Sequence, residues 1–357
     1  MVFVVCFALA RGYIRAMRLL PILGLGLLAA CDQVPSAADE AETDDAVVLA
    51  LGSVTNVVNL ATCPNGAPSG ATCKRVTVGG CPGIETETLD ATVAFWPAPA
   101  QLKGTVVHFS GSGGTGYQVG GAQQYQTAGL RNVWVAWASD WEQTASLGIR
   151  TAGCRPSTVL KWIFDAPALH AGSRAIGFCG EGFSGGSGQL GYALAHYGMG
   201  NYLDYVNELS GPPFARIDLG CDGDAPATAV VCGATDTMRL PGSLNAWENI
   251  QSPLSCGSTG VPAAELNRWK TDSIAYGGVY DYPKTEVQFY ACTYQATAVT
   301  AQGKIYYDLI AAAAGGNPSR ASYHCYSQAD NCQGENLGTG SSAATQAMIN
   351  RCVPHHM

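Results

Sequence analysis

Apolar and polar positions along this chain fall into blocks, and the period changes from block to block. Short, nearly continuous apolar runs at residues 75–78, 91–96, 105–110, 132–138, 175–179, 214–219 and 287–291 predict strands. Between and after them, apolar spacing near 3.6 residues predicts helices. These cover residues 156–165, opened by Pro156 in the first turn, residues 189–196 with a stripe of Leu190, Ala193 and Leu194, and residues 301–313 and 342–350. The runs within residues 50–100 suit the antiparallel start of a mixed sheet, whereas the later ones alternate strand with helix. That alternation predicts an α/β fold, doubly wound around a mostly parallel central sheet. Residues 222–283 are too long for a simple connection and too rich in Pro and Gly for helix throughout, so they are expected to form a cap insertion.

With 357 residues, 47% hydrophobic and 13% charged, the chain can bury a large core, and residues 49–357 are expected to form one domain. The N-terminus reads differently. From Met17 a basic start leads into an apolar run too short to span a bilayer comfortably, ending in Leu28-Ala29-Ala30-Cys31. This looks like a bacterial lipobox, in which Cys31 is lipidated after residues 1–30 are removed, and Met17 is a candidate start. Residues 31–48 carry six acids and no base, the composition of a solvated tether. The expected location is therefore the exported bacterial envelope, with a lipid anchor in the membrane. Loss of Arg11, Arg15 and Arg18 takes the formal charge from −8 to −11, which argues against a nucleic-acid partner.

Of 14 cysteines, Cys6 and Cys31 belong to the leader and anchor. Twelve remain, an even number that in an exported chain suggests disulfides. Close spacing favours Cys221 with Cys232, and Cys325 with Cys332 or Cys352. No CxxC or HExxH occurs, so neither a metal nor another cofactor is expected.

The chemistry concentrates in residues 174–198. A predicted strand and a predicted helix flank Gly182-Phe183-Ser184-Gly185-Gly186, a turn so tight that side chains at its glycines would clash. Ser184 would stand at the helix N-terminus, where the dipole and free N–H groups favour developing negative charge. A second glycine run, residues 111–116, follows the strand at 105–110 and reads literally as GxGxxG, with Asp140 beyond the next strand. A dinucleotide-binding oxidoreductase is thus an alternative. Export and the strands that precede this one count against it.

On these motifs, residues 105–352 resemble the α/β-hydrolase superfamily, specifically exported bacterial serine esterases. The resemblance implies Ser184 as nucleophile, His324 as base, and an oxyanion hole from the N–H of Gly185 with that of Gly111 or Ser112. It also implies an acid near Gln295, which is neutral, so the acid is sought in the loop expected after the sixth strand, first at Asp222 and then at Asp224. Trp141, Trp247 and Trp269, with Tyr276, Tyr280 and Tyr282, are candidates for a substrate surface. The implied activity is cleavage of small or polymeric carboxylic esters by a lipid-anchored enzyme. Gln295 at the acid position supports an alternative, a non-catalytic binding lipoprotein that keeps the fold.

Overall fold

The computed structural model describes residues 47–144, 148–224, 227–238, 256–292, 297–326 and 343–356. Among them the strands are β1 (Ser53–Leu60), β2 (Thr72–Gly79), β3 (Leu89–Phe95), β4 (Gly104–Phe109), β5 (Leu130–Trp137), β6 (Gly177–Phe183), β7 (Tyr205–Leu209), β8 (Thr228–Val231), β9 (Ala234–Thr237), β10 (Glu286–Cys292) and β11 (Ala321–Tyr326). All but β8 and β9 join one sheet in the order β1-β2-β3-β5-β4-β6-β7-β10-β11. The pairs from β1 to β5 are antiparallel, and those from β5 through β4 to β11 are parallel.

The helices are α1 (Ala122–Ala128), α2 (Ile149–Ala152), α3 (Cys154–Asp165), α4 (Gly185–Tyr197), α5 (Ile217–Cys221), α6 (Ala263–Asp272), α7 (Thr297–Ala313) and α8 (Ala343–Arg351). The central strands β4, β6 and β7 are buried on both faces, which explains the short apolar runs of β4 and of the start of β6. One face packs on α3, α4 and α7 through Val107, Phe109, Val206 and Phe289. The other packs on α1 and α8 through Val106, Cys179, Tyr205, Leu209 and Tyr290. The topology is that of an α/β-hydrolase sheet, as expected.

The second face also carries a buried polar row. His108, Glu181, Asn207 and Gln288 sit in register across β4, β6, β7 and β10, none more than 2% exposed. Tyr125 donates to Glu181 at 2.6 Å, and Asn207 donates to Glu181 at 3.2 Å and to the Ala344 carbonyl of α8 at 3.1 Å. These bonds satisfy most of a row that would otherwise be costly to bury.

Three expectations are corrected. The sixth strand of the set is β7, and residues 214–219 instead lead into α5, where a buried bidentate pair between Arg216 and Asp218 (2.7 and 2.9 Å) fixes a bend. The sequence YVNEL of β7 hides its strand character because Asn207 and Glu208 are polar yet fully buried. The disulfides are long-range: Cys221 pairs with Cys256, Cys325 with Cys232 and Cys352 with Cys179, beside Cys63–Cys73 and Cys81–Cys154. Cys232 lies in the turn between β8 and β9, held beside the edge strand β11, while Cys352 follows α8 across the back of β6. Five disulfides among the described residues point to an oxidising, exported environment. Among the described residues no helix is long and apolar enough to cross a membrane.

Within residues 222–283, the β8–β9 hairpin packs on α7, and α6 packs on α5. Trp269 of α6 and Trp141 are both fully buried in the main core, so neither lines a surface. Each is a large apolar ring with close aromatic or aliphatic neighbours, and burial outweighs exposure for such a group. Tyr282 is also buried, bonding Val279 and Tyr306. Trp247, Gln295 and Cys31 lie outside the described residues.

Candidate active site

Three neighbouring strands each run into a serine with a left-handed backbone: Ser112 beyond β4 (φ 50°), Ser184 after β6 (φ 50°) and Ser210 after β7 (φ 47°). Such φ values are unfavourable for residues with a Cβ and persist only where surrounding contacts over-determine them. At Ser184 those contacts are visible. Its N–H donates to the Leu209 carbonyl at 2.8 Å, and its carbonyl accepts from Gly188 N–H at 3.1 Å and from the Ser187 hydroxyl at 2.5 Å. A Cβ at Gly182 would collide with the Gly186 carbonyl, and one at Gly186 with the Phe109 carbonyl. Both motif glycines are therefore required by the close approach of α4 to the strand ends.

Gly185 is buried with its Cα side pressed on the Ser112 peptide, so these two residues stand side by side. The loop from Gly111 to Gly116 turns its carbonyls away. Gly111 accepts from Gly114 N–H (3.1 Å), Gly113 from Trp141 N–H (3.1 Å), Gly114 from Trp137 N–H (2.9 Å) and Gly116 from the Ser110 hydroxyl (2.9 Å). By contrast the N–H groups of Ser112, Gly113 and Gly185 have no partner among the described residues. Ser112 is exposed and Ser184 half-buried. The crest thus combines a serine whose backbone is fixed with backbone donors that have no partner among the described residues, an arrangement of the kind that stabilises an oxyanion.

The glycine loop lacks the geometry of a dinucleotide-binding turn. Several residues separate Gly116 from α1, so no helix N-terminus follows the run to receive a pyrophosphate. Among the described residues no group of three His, Cys, Asp or Glu side chains is placed to hold a metal ion.

The structure does not bring His324 to Ser184. His324 sits within β11 opposite Tyr290, which is opposite Leu209, which is opposite Phe183. Three strand spacings separate it from the elbow, about 14 Å between backbones, too far for an imidazole to span. Its Nε2 lies 2.7 Å from the Gln288 side-chain oxygen and its ring stacks on Tyr290. Burial, and then the charge of Arg351, hold its pKa below the usual histidine value. The other five histidines are engaged elsewhere. His108 bonds Asn132 at 2.9 Å, and burial lowers His170 to about 4 and His196 to about 3. The backbone N–H of His355 and the ring Nδ1 of His356 both bond Asp204, just before β7 at the opposite end of the strands.

Neither proposed acid meets His324. Asp222 accepts from Asp224 N–H at 2.9 Å, bracing its own turn, and Asp224 accepts from Gly260 N–H at 2.6 Å, tying that turn to a segment 36 residues on. The carboxyl near the end of the true sixth strand is Glu208, fully buried with neither oxygen bonded among the described residues. Burial raises its pKa well above the carboxylate range. Asn207, Leu209, Tyr290 and His324 share the face toward α8, so Glu208, one residue out of step, faces the opposite side of the sheet. Ser210 was missed in the sequence. Its signal was a short Ser-Gly-Pro-Pro break after β7, obscured by the misplaced strand.

No family model matches the sequence, and no curated protein matches it. Solved structures similar to it include the Pyrobaculum calidifontis esterase in its monoclinic form, at 15% identity over 84% of this chain and 85% of that one, with a TM-score of 0.45. Brefeldin A esterase, described as a bacterial homologue of human hormone-sensitive lipase, has 12% identity over 82% and 78%, with a TM-score of 0.43. Acetyl xylan esterase 1 from Thermoanaerobacterium has 10% identity over 76% and 81%, with a TM-score of 0.42.

Proposed function

We propose that this chain is a serine hydrolase acting on carboxylic esters, with Ser184 as the residue acylated. The observation that carries this reading is the elbow itself: a left-handed serine at the start of α4, beside unspent N–H groups of Ser112 and Gly185. Ser184 Oγ bonds to the ester carbonyl carbon while the two N–H groups hold the oxygen. The ester C–O bond then breaks, and the serine proton ends on the departing alcohol. Water attacks the acyl-enzyme, releasing the carboxylic acid and restoring the hydroxyl.

Because no histidine is in hydrogen-bond contact with Ser184, turnover is expected to be slow. That same observation favours a second reading, a binding protein that retains the hydrolase fold. A fluorophosphonate probe separates the two. Covalent labelling at Ser184, abolished with short-chain nitrophenyl ester turnover in Ser184→Ala, is the outcome expected of the hydrolase. A folded protein that neither labels nor turns over ester is the binding protein.

Location belongs to the same reading. We infer that Cys31 carries the lipid anchor, since Leu28-Ala29-Ala30-Cys31 precedes an acidic tether. Acylation there should place the protein in the membrane fraction, and Cys31→Ser should release it. Unchanged partition and processing of that variant would refute the anchor.

A further inference from the structure

Gln189 lies in the second turn of α4, fully buried, one of few polar side chains in a helix otherwise built of Gly, Ala, Leu and Tyr. A methionine or leucine there would fill similar space without burying an amide. Its oxygen accepts from Trp137 Nε1 at 2.8 Å, which fixes its rotamer. Its Nε2 has no partner among the described residues, although it is buried. That nitrogen lies 2.8 Å from where a Cβ on Gly114 would stand, with Trp137 Cδ1 at 2.8 Å and Trp141 Cδ1 at 3.2 Å from the same point. Gly114, at φ +75°, leaves the space that Gln189 occupies.

These contacts converge on one loop from beneath. Trp137 and Trp141 give their backbone N–H groups to the carbonyls of Gly114 and Gly113, while Gln189 braces Trp137 from the helix that begins at Ser184. The Nε2–H of Gln189 stands beside the Gly114 backbone without a partner among the described residues, so the Gln189 amide spends its one hydrogen bond on Trp137.

We infer that Gln189 is a positioning residue, which locks the oxyanion loop to the nucleophile helix through Trp137. This inference rests on Ser184 as the nucleophile. A loop displaced by about 1 Å weakens contacts made to the transition state far more than those made to bound substrate. The loss should therefore appear in kcat.

The experiment compares wild type with Gln189→Met, using p-nitrophenyl acetate turnover and the rate of fluorophosphonate labelling. The expected result is a fall in kcat and in labelling rate of about tenfold or more, with KM within about twofold. Trp137→Phe, which keeps a ring but removes the Nε1–H, should show the same split and serves if Gln189→Met does not fold. Wild-type labelling that persists with unchanged kcat in a folded variant overturns the positioning role alone. Equal losses explained by the unfolded fraction, with normal kcat per folded molecule, overturn it as well. Absence of labelling in wild type overturns the Ser184 reading, and the inference falls with it.

Discussion

The crest at Ser184 and the edge at His324 belong to one sheet but are held in different ways. At the crest, backbone meets backbone: α4 lies on the ends of β4 and β6 with glycines at the contacts, and the carbonyls of Gly111, Gly113, Gly114 and Gly116 are bound while the N–H groups of Ser112 and Gly113 have no partner among the described residues. At the edge, side chain meets side chain: His324 is stacked on Tyr290 and bonded to Gln288 within β11. The first arrangement leaves groups available for chemistry. The second uses the imidazole as the end of a buried polar row.

The comparison is most sharply broken at Gly186. Gly186→Ala drives a Cβ into the Phe109 carbonyl, where neither partner can rotate away, so the crest must open or the variant must unfold. A stability loss of at least about 2 kcal/mol by denaturant titration is expected, together with loss of labelling at Ser184. Native stability with normal labelling would show that the crest is not packed as described.

His324→Gln should cost less. A base in contact with a nucleophile contributes roughly 10² to 10⁴ in rate, whereas an imidazole three strands away contributes no direct proton transfer. Turnover is expected to fall by less than about tenfold. A loss as large as that of Ser184→Ala would mean that β11 delivers the imidazole to the serine during turnover.

A separate, pH-dependent effect concerns Glu142, next to the Trp141 that supports the crest loop. Burial, its largest influence, raises Glu142 from 4.5 to about 7, and neither oxygen is bonded among the described residues. A carboxyl whose folded value is raised favours the folded state below its unfolded value. That stability is lost as pH rises from 4.5 through about 7. Across that window the wild type should lose stability relative to Glu142→Gln, by on the order of 2 kcal/mol. Parallel pH profiles for the two proteins would place the carboxyl in water.

The elbow was legible because everything that makes it is local: a strand, five residues and a helix, with glycines where backbones touch. The parallel sheet was legible for a similar reason, since strands buried on both faces read as apolar runs. Strand β7 was not, because its buried Asn207 is satisfied by Glu181, 26 residues before it, and by the Ala344 carbonyl, 137 residues after it. The disulfides share that difficulty, since Cys179 and Cys352 are 173 residues apart and spacing says nothing of such a pair. His324 lies within β11, a strand that the sequence reading did not anticipate. Its register within that strand, which puts it beside Gln288 instead of beyond the strand end, depends on pairing that the local sequence does not encode.

The bond between Cys179 and Cys352 has a consequence for how the molecule is made. Strand β6 lies at the middle of the sheet and leads straight into Ser184, yet the cysteine that secures it comes almost at the end of the chain, after α8. During synthesis from the N-terminus, the strand that carries the serine leaves the ribosome long before its covalent partner. The central layer can be locked only after a further 173 residues have been delivered, an order of events suited to a chain that crosses a membrane unfolded and meets an oxidant on the far side.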